Sequence, residues 1–264
     1  MFTYVKEIEL VSMGYKQLSH IVHRYPTLQS TNASAMELLE SQKPVQGTVV
    51  ITDDQTAGKG QRGNTWISEA GKNLTFSVIA YPQLSAEKMF MLNMVSSIAV
   101  CDALLNLVPD VKIKWPNDIY CAGRKIGGIL IENQVRNNTI QASVIGIGVN
   151  CNQTLFKQLV PEPTSLLLKT GVEVNLNDLF ENIYDALDYT IDLLLSHNYS
   201  LINKKYLERL YGLNETKLFR DEAGFFQGEI TGIDSTGKLK VRVEEKIVHY
   251  DLKEIALIQP GDHV

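Results

Sequence analysis

Residues 111–150 read VKIKWPNDIYCAGRKIGGILIENQVRNNTIQASVIGIGVN. Four short segments follow one another: VKIKW (111–115), DIYC (118–121), KIGGILIENQV (125–135) and TIQASVIGIGVN (139–150). Runs of this length, rich in Ile and Val and bounded by turn residues, predict strands. Only Asn137-Asn138 separates the last two, and asparagine tolerates positive φ, so a two-residue hairpin joins them. The chain here is therefore not a regular βαβ repeat, and the fold class it predicts is α+β.

Upstream, HIVHRYP (20–26) reads as a strand and Asn32 to Ser41 as a helix. Ser30, Thr31 and Asn32 are all residues able to cap that helix start by accepting bonds from its free N–H groups. GTVVITDD (47–54) and LTFSVIAY (74–81) read as strands, and Ala86 to Val108 as a long apolar helix. Downstream, residues 176–197 place Leu179, Ile183, Leu187 and Leu194 on one helical face. After Gly212 the helical period disappears. GKLKVRV (237–243) alternates strictly and Asp234-Ser235-Thr236-Gly237 is a turn signal, so the last fifty residues predict a small β-barrel. The expected organisation is an N-terminal extension over 1–19, a large domain over 20–212 and a small one over 213–264.

A length of 264 residues suits one large and one small domain. With 44% hydrophobic and 21% charged residues, the composition is that of a soluble globular protein. The net charge of −5 gives no basic footprint for nucleic acid, so an anionic ligand would need a local cluster of cations. Cys101, Cys121 and Cys151 have neither disulfide nor metal spacing, which points to a reducing, cytoplasmic compartment. No signal peptide and no apolar run of membrane-spanning length is read.

Residues 55–73, QTAGKGQRGNTWISEAGKN, form a long glycine-punctuated stretch between two strands. Glycines let backbone N–H groups approach a ligand, and Lys59 and Arg62 add cations, which suits a phosphate-bearing anion. A dinucleotide fingerprint would need a helix at the third glycine and an acidic residue about twenty positions on. Neither is present. An anion-binding lid and a flexible turn both remain open from this loop alone. In KWPND, Pro116 forces Trp115 to be extended, so the segment is a strand end that presents Asn117 and Asp118 at a turn. Lys125 follows at the start of an apolar strand, and Gly127 and Gly128 would leave room for a flat ligand. Taken singly, Trp115 as core, Asp118 as a turn cap and Lys125 as a solvated lysine are equally open.

Taken together, QSTN (29–32), QTAGKGQRGNTW (55–66), KWPNDIY (114–120), GRKIGGILIE (123–132) and GIGVN (146–150) resemble the biotin protein ligases. The ordered match covers most of residues 20–170. It implies a central mixed sheet covered by helices, as in class II aminoacyl-tRNA synthetases, with an SH3-like C-terminal barrel. The implied activity is ATP-dependent activation of biotin to biotinyl-5′-AMP and its transfer to a lysine of a biotin carboxyl carrier protein. By the same resemblance, Ser30, Thr31, Asn32 and Gln55 would hold the ureido ring. Lys59, Gly60, Gln61 and Arg62 would fold over the carboxylate and α-phosphate, and Lys125 would reach both. Trp66, Asn117, Asp118 and Asn150 would lie at ATP, with Asp118 and Asn150 holding Mg2+. Catalysis would rest on Lys125, Asp118, Lys59 and Arg62, with no prosthetic group.

The family loop usually carries arginine where this chain has Lys59 and Gln61, so a bidentate fork and one charge are lost there. Only about nineteen residues precede the first strand, too few for the DNA-binding domain of bifunctional members, so no DNA partner is expected. Neither is a membrane, while a homodimer stays open. A lipoate ligase or octanoyl transferase of related fold is the competing reading, and a transferase would need a nucleophilic thiol such as Cys121.

Overall fold

The computed structural model describes residues 4–5, 17–156 and 163–258. In chain order it contains β1 (Tyr4–Val5), β2 (Val22–Leu28), α1 (Thr31–Gln42), β3 (Val49–Gln55), β4 (Gly58–Lys59), β5 (Thr65–Trp66), β6 (Leu74–Ala80) and β7 (Leu84–Ser85). Next come α2 (Phe90–Leu104), β8 (Val111–Lys114), β9 (Asp118–Cys121), β10 (Arg124–Arg136), β11 (Thr139–Val149) and α3 (Leu166–Thr170). The chain continues with α4 (Leu176–Leu195), α5 (Tyr199–Arg209), β12 (Thr216–Asp221), β13 (Gly224–Ile233), β14 (Leu239–Val243), β15 (Lys246–Tyr250) and β16 (Ala256–Leu257).

The main sheet runs in the order β1-β2-β3-β6-β11-β10-β9-β8, with β7 beside β11. Only β2 and β3 are parallel, so the sheet is mixed. Asn137 and Asn138, at φ 51° and 59°, make the expected two-residue turn between β10 and β11. Side chains alternate between the two faces of a strand, and the sheet uses both. Val50, Ile79, Ala142 and Val144 pack against Ala35 and Leu39 of α1. On the opposite face, Ile51, Phe76, Val78, Ile145 and Ile147 belong to one core with Val95 and Ile98 of α2 and Phe180, Ile183 and Leu187 of α4. Helix α2 is buried nearly all round, which explains why its sequence is apolar without a polar stripe.

Two expectations change. The 86–108 helix is shorter, because a 3-10 turn over Ala86–Lys88 precedes α2. Helix α5 was not anticipated: its charged sequence buries only Ile202 and Tyr206, and ion pairs from Lys205 and Arg209 to Asp102 dock it on α2. The expected extension over 1–19 lies largely outside the described residues.

The last strands form a separate antiparallel sheet, β15-β14-β13-β12-β16. Among the described residues no ladder joins β15 to β16, so this sheet is open where a closed barrel was expected. Its turn at Asp234–Gly237 is built as the sequence suggests, with the Asp234 carboxylate accepting from the backbone N–H groups of Thr236 and Lys238. Burial alone would raise the Asp234 pKa. The bonds from His249, Thr236 and Lys238 outweigh it and hold the carboxyl well below the usual range. The same turn joins the two sheets. The Trp115 indole donates to the Gly237 carbonyl at 2.8 Å, and Gly237, at φ +94°, lies against the Phe90 ring.

A Cβ on Gly237 would sit 2.2 Å from that ring. Gly237→Ala is expected to cost about 2 kcal/mol or more from strained backbone and overpacking together, measured by urea unfolding. Trimming Phe90 to alanine in the same chain should recover part of the loss relative to the sum of the single changes. Because Asp234 stays ionised in the folded protein below its ordinary pKa, its contribution is present above that value. It is lost as pH falls below about 4. The thermal midpoint should therefore drop less steeply on acidification in Asp234→Asn.

Candidate active site

The cavity opens on the α1 face of the main sheet, where bulky side chains give way to small ones. Along the β11–β6 ladder the pairs are Val144–Ile79, Gly146–Ser77 and Gly148–Thr75. Gly128 and Leu130 of β10 face Gly148 and Gly146. The first of these pairs packs under α1, and the next two leave the floor of a cavity of about 270 Å³. Its lining includes Ser30, Thr31, Asn32, Gln55, Lys59, Gly60, Gln61, Trp66, Asn117, Asp118, Lys125 and Gly128.

One end is neutral and polar. Ser30 caps α1, its hydroxyl accepting from Ala33 N, which brings Thr31 and Asn32 over the sheet. Gln55 Oε1 accepts from the Thr31 backbone N–H at 2.8 Å, so the amide orientation of Gln55 is set by a donor that cannot reverse. Asn32 donates through Nδ2 to Glu132 Oε2 at 2.8 Å and accepts at Oδ1 from the Ser77 hydroxyl at 2.7 Å. Ser30, Thr31, Asn32 and Gln55 are all buried. Gly146 makes the arrangement possible, since a Cβ there would lie 2.0 Å from Asn32 Oδ1.

The other end carries charge. The β9–β10 ladder shifts register between Lys125 and Gly127, and this bulge re-aims the lysine. Lys125 Nζ meets Asp118 Oδ1 at 2.5 Å, next to Gly128. Asn117 is spent on the turn, its amide donating to the Ile129 carbonyl while Ile129 N donates to the Asn117 carbonyl. Gly127 does not face the cavity as expected. Its Cβ would point at the Gly148 carbonyl and Ile119, so Gly128 and Gly148 provide the room instead.

The 55–73 stretch is folded, not a structureless loop. β4 and β5 pair as Gly58–Trp66 and Lys59–Thr65, and Gly60 N donates to Asn64 O at 2.7 Å. This small hairpin lays Trp66 across Gly148, whose Cβ would be 2.6 Å from the indole. The buried Trp66 Nε1 has no partner within the protein among the described residues. Lys59, Gly60 and Gln61 line the cavity from the same hairpin, and the Arg62 side chain lies outside the described residues.

Asn150 stands apart. Its Nδ2 donates to the Thr164 carbonyl at 3.0 Å, its backbone N to Ile126 O, and it does not line the cavity. The amide closes the segment that follows β11, a structural task the residue type could not reveal. Sequence reasoning missed Ser77 and Glu132, although a buried hydroxyl inside LTFSVIA and an acid inside IGGILIE were legible as polar interruptions of apolar strands. It also missed Leu252 and Lys253, which reach the cavity from the C-terminal sheet. All three cysteines are buried and none lines the cavity. Burial raises the Cys121 thiol and pushes Cys151 up to about 12, so neither is a thiolate nucleophile.

Residues 25–150 match the model of the Biotin/lipoate A/B protein ligase family. A biotin--[acetyl-CoA-carboxylase] ligase of Paracoccus denitrificans is 31% identical over 221 residues, covering 81% of this chain and 90% of that one. The chain belongs to the biotin protein ligase family. A bifunctional ligase/repressor BirA of Bacillus spizizenii is 30% identical over 234 residues, 86% of this chain and 71% of the relative. Among solved structures, the biotin protein ligase of Aquifex aeolicus in complex with biotin and ATP has the same fold, with a TM-score of 0.74, 23% identity, and coverage of 90% of this chain and 99% of that one.

In this biotin protein ligase family member, Gly146→Ala is expected to expel Asn32 from its buried bonds. Leaving those groups unpaired should lower stability by about 1–3 kcal/mol in urea unfolding. Unchanged stability would show that Asn32 is not locked by Ser77 and Glu132.

Proposed function

We propose that the protein activates biotin with ATP as biotinyl-5′-AMP and transfers it to a lysine of a biotin carboxyl carrier protein. The observation that carries this reading is the joining of a neutral hydrogen-bonding end and a cationic end in one cavity. The Gly146 and Gly128 positions are one strand and two residues apart, about 8 Å. That is the reach of a short aliphatic chain between a ureido ring and a carboxylate. Ser30, Thr31, Asn32 and Gln55 would bond the ring. Lys59 and Lys125, with Arg62, Gly60 and Gln61 of the hairpin, would hold the carboxylate and α-phosphate. Trp66, Asn117 and Asp118 would flank the nucleotide, and the unpartnered Trp66 Nε1 would gain an acceptor from the ligand.

The first step forms a bond between a biotin carboxylate oxygen and the α-phosphorus of ATP while pyrophosphate leaves. Both reactants are anions, and at about 4 Å with an effective dielectric near 20 each like-charge pair costs about 4 kcal/mol. Lys59 and Lys125 offset that repulsion and stabilise charge on the departing pyrophosphate. Asp118 is the one carboxylate among the cavity-lining residues described, and among the described residues no three His, Cys, Asp or Glu form a metal cluster. That donor set fits Mg2+ arriving on ATP phosphates, which takes one or two protein carboxylates, and does not fit a resident metal. Asn150, which is not among the residues lining the cavity, is left out of this donor set. The adenylate is a mixed anhydride sensitive to water, and the β4–β5 hairpin with Trp66 shields it.

In the second step the amine of the carrier lysine attacks the acyl carbon, AMP leaves, and proximity supplies much of the rate. No enzyme nucleophile is needed, which agrees with the buried cysteines. For docking, β10 pairs with β9 only over Arg124–Gly128 and Ile129 is engaged by Asn117, but β10 pairs with β11 out to Arg136. Among the described residues its outer edge beyond Ile129 carries no ladder and would accept an added strand. The C-terminal sheet is read as an SH3-like unit beginning near residue 213, and the free cysteines suit a cytoplasmic setting.

Lys125→Ala should slow biotin-dependent pyrophosphate release by about a hundredfold or more. A normal rate would remove Lys125 from the chemistry. Biotin should raise the thermal midpoint while lipoate does not, and the reverse would favour the lipoate reading.

A further inference from the structure

The C-terminal sheet contributes a charge to the cavity. Lys253 lines it beside Leu252, although both belong to the turn between β15 and β16. The route by which they arrive is fixed by contacts. Trp115 of the KWPND segment holds Gly237, and Lys238 Nζ lies 3.5 Å from the Asp251 carboxylate at the start of that turn. These contacts link the turn to the KWPND segment, whose Pro116, Asn117 and Asp118 line the same cavity. Glu254 N donates to Asp251 O at 3.1 Å, and Asp251 N donates to Glu254 Oε2 at 2.6 Å, so both neighbouring acids are engaged in the turn or with Lys238.

Two features of Lys253 itself point to a role beyond the turn. Its φ is +73°, at a turn position that glycine occupies freely and other residues only under strain. Its ammonium has no hydrogen-bond or ion-pair partner among the described residues. Against the lone acid Asp118, which Lys125 already engages, the described cavity walls carry the cations Lys59, Lys125 and Lys253, while Gln61 is neutral. We propose that Lys253 is a nucleotide-binding residue: it supplies from the C-terminal sheet a cation that pairs with the phosphates of ATP. The proposal rests on the adenylation reading above. It makes Trp115, Gly237 and Lys238 positioning residues for that contact. Lys253 also borders a neighbouring cleft with Arg220, Glu222 and Glu254, and service to those carboxylates instead is the outcome that would refute it.

The test uses the full chain, as wild type, Lys253→Gly and Lys253→Arg. Each is titrated with the magnesium complex of α,β-methylene-ATP, which cannot be cleaved at the reacting bond, with and without biotin. Lys253→Gly should weaken nucleotide binding about fivefold to tenfold, and Lys253→Arg should restore most of it. Biotin binding should change by less than about twofold, as expected for a residue that pairs with phosphate alone. Relief of the positive φ should at the same time raise the thermal midpoint of Lys253→Gly by about 2–4 °C, which shows that the weakened binding is not unfolding. Nucleotide affinity equal to wild type in Lys253→Gly would overturn the proposal whatever the midpoint does, and so would a wild type that does not bind the nucleotide. If the wild type binds the nucleotide but releases no pyrophosphate from ATP with biotin, the biotin reading fails, and Lys253 is still judged by the titration.

Discussion

The active cavity depends on a change of side-chain size within single strands. On β6 and β11 the residues facing α1 go from Ile79 and Val144 to Ser77 and Gly146 within one alternation, and then to Thr75 and Gly148. The large pair is closed by the helix, and the small pairs leave space that the helix start and the β4–β5 hairpin overhang. Because alternate residues of the same strands (Phe76, Val78, Ile145 and Ile147) remain bulky, the opposite face keeps a continuous core. The sheet can thus be hollow on one side without losing the packing that holds it.

That arrangement explains why the polar groups are so well anchored. Asn32 can lie flat on the sheet only over Gly146, and Trp66 only over Gly148. Once there, Asn32 is held between Glu132 and Ser77, and Thr31 fixes the Gln55 amide. A buried network with its members satisfied costs little and permits one geometry, which is what selective recognition of a neutral, hydrogen-bonding ring demands. The charged end is looser: Lys59 is exposed and Lys125 is about one-third exposed.

The two sheets meet through the KWPND turn. The indole of Trp115 ties that turn to the Asp234–Gly237 turn, so the segment that presents Asp118 also carries the C-terminal sheet. The joint gives a physical reason for a second sheet beside a cavity otherwise built by the first. It brings a turn of the chain more than a hundred residues downstream to the wall of that cavity.

Much was legible in the residues themselves. Period-two apolar runs and the Asn137-Asn138 pair determined the antiparallel strands, and the Ser30–Asn32 run placed the start of α1 to within one residue, leaving the structure to select Ser30 as the cap, because these rest on local backbone preferences. The five short motifs, in order, named the chemistry. The tertiary structure decided what depends on pairing between distant strands. It took Gly127 out of the cavity and kept Gly128 there, bonded the Asn150 amide to Thr164, folded residues 58–66 into a hairpin, put Ser77 and Glu132 on Asn32, and added Lys253 to the lining. Facing and burial of a side chain are properties of the strand register and of what lies opposite, and no single segment of sequence contains its partner.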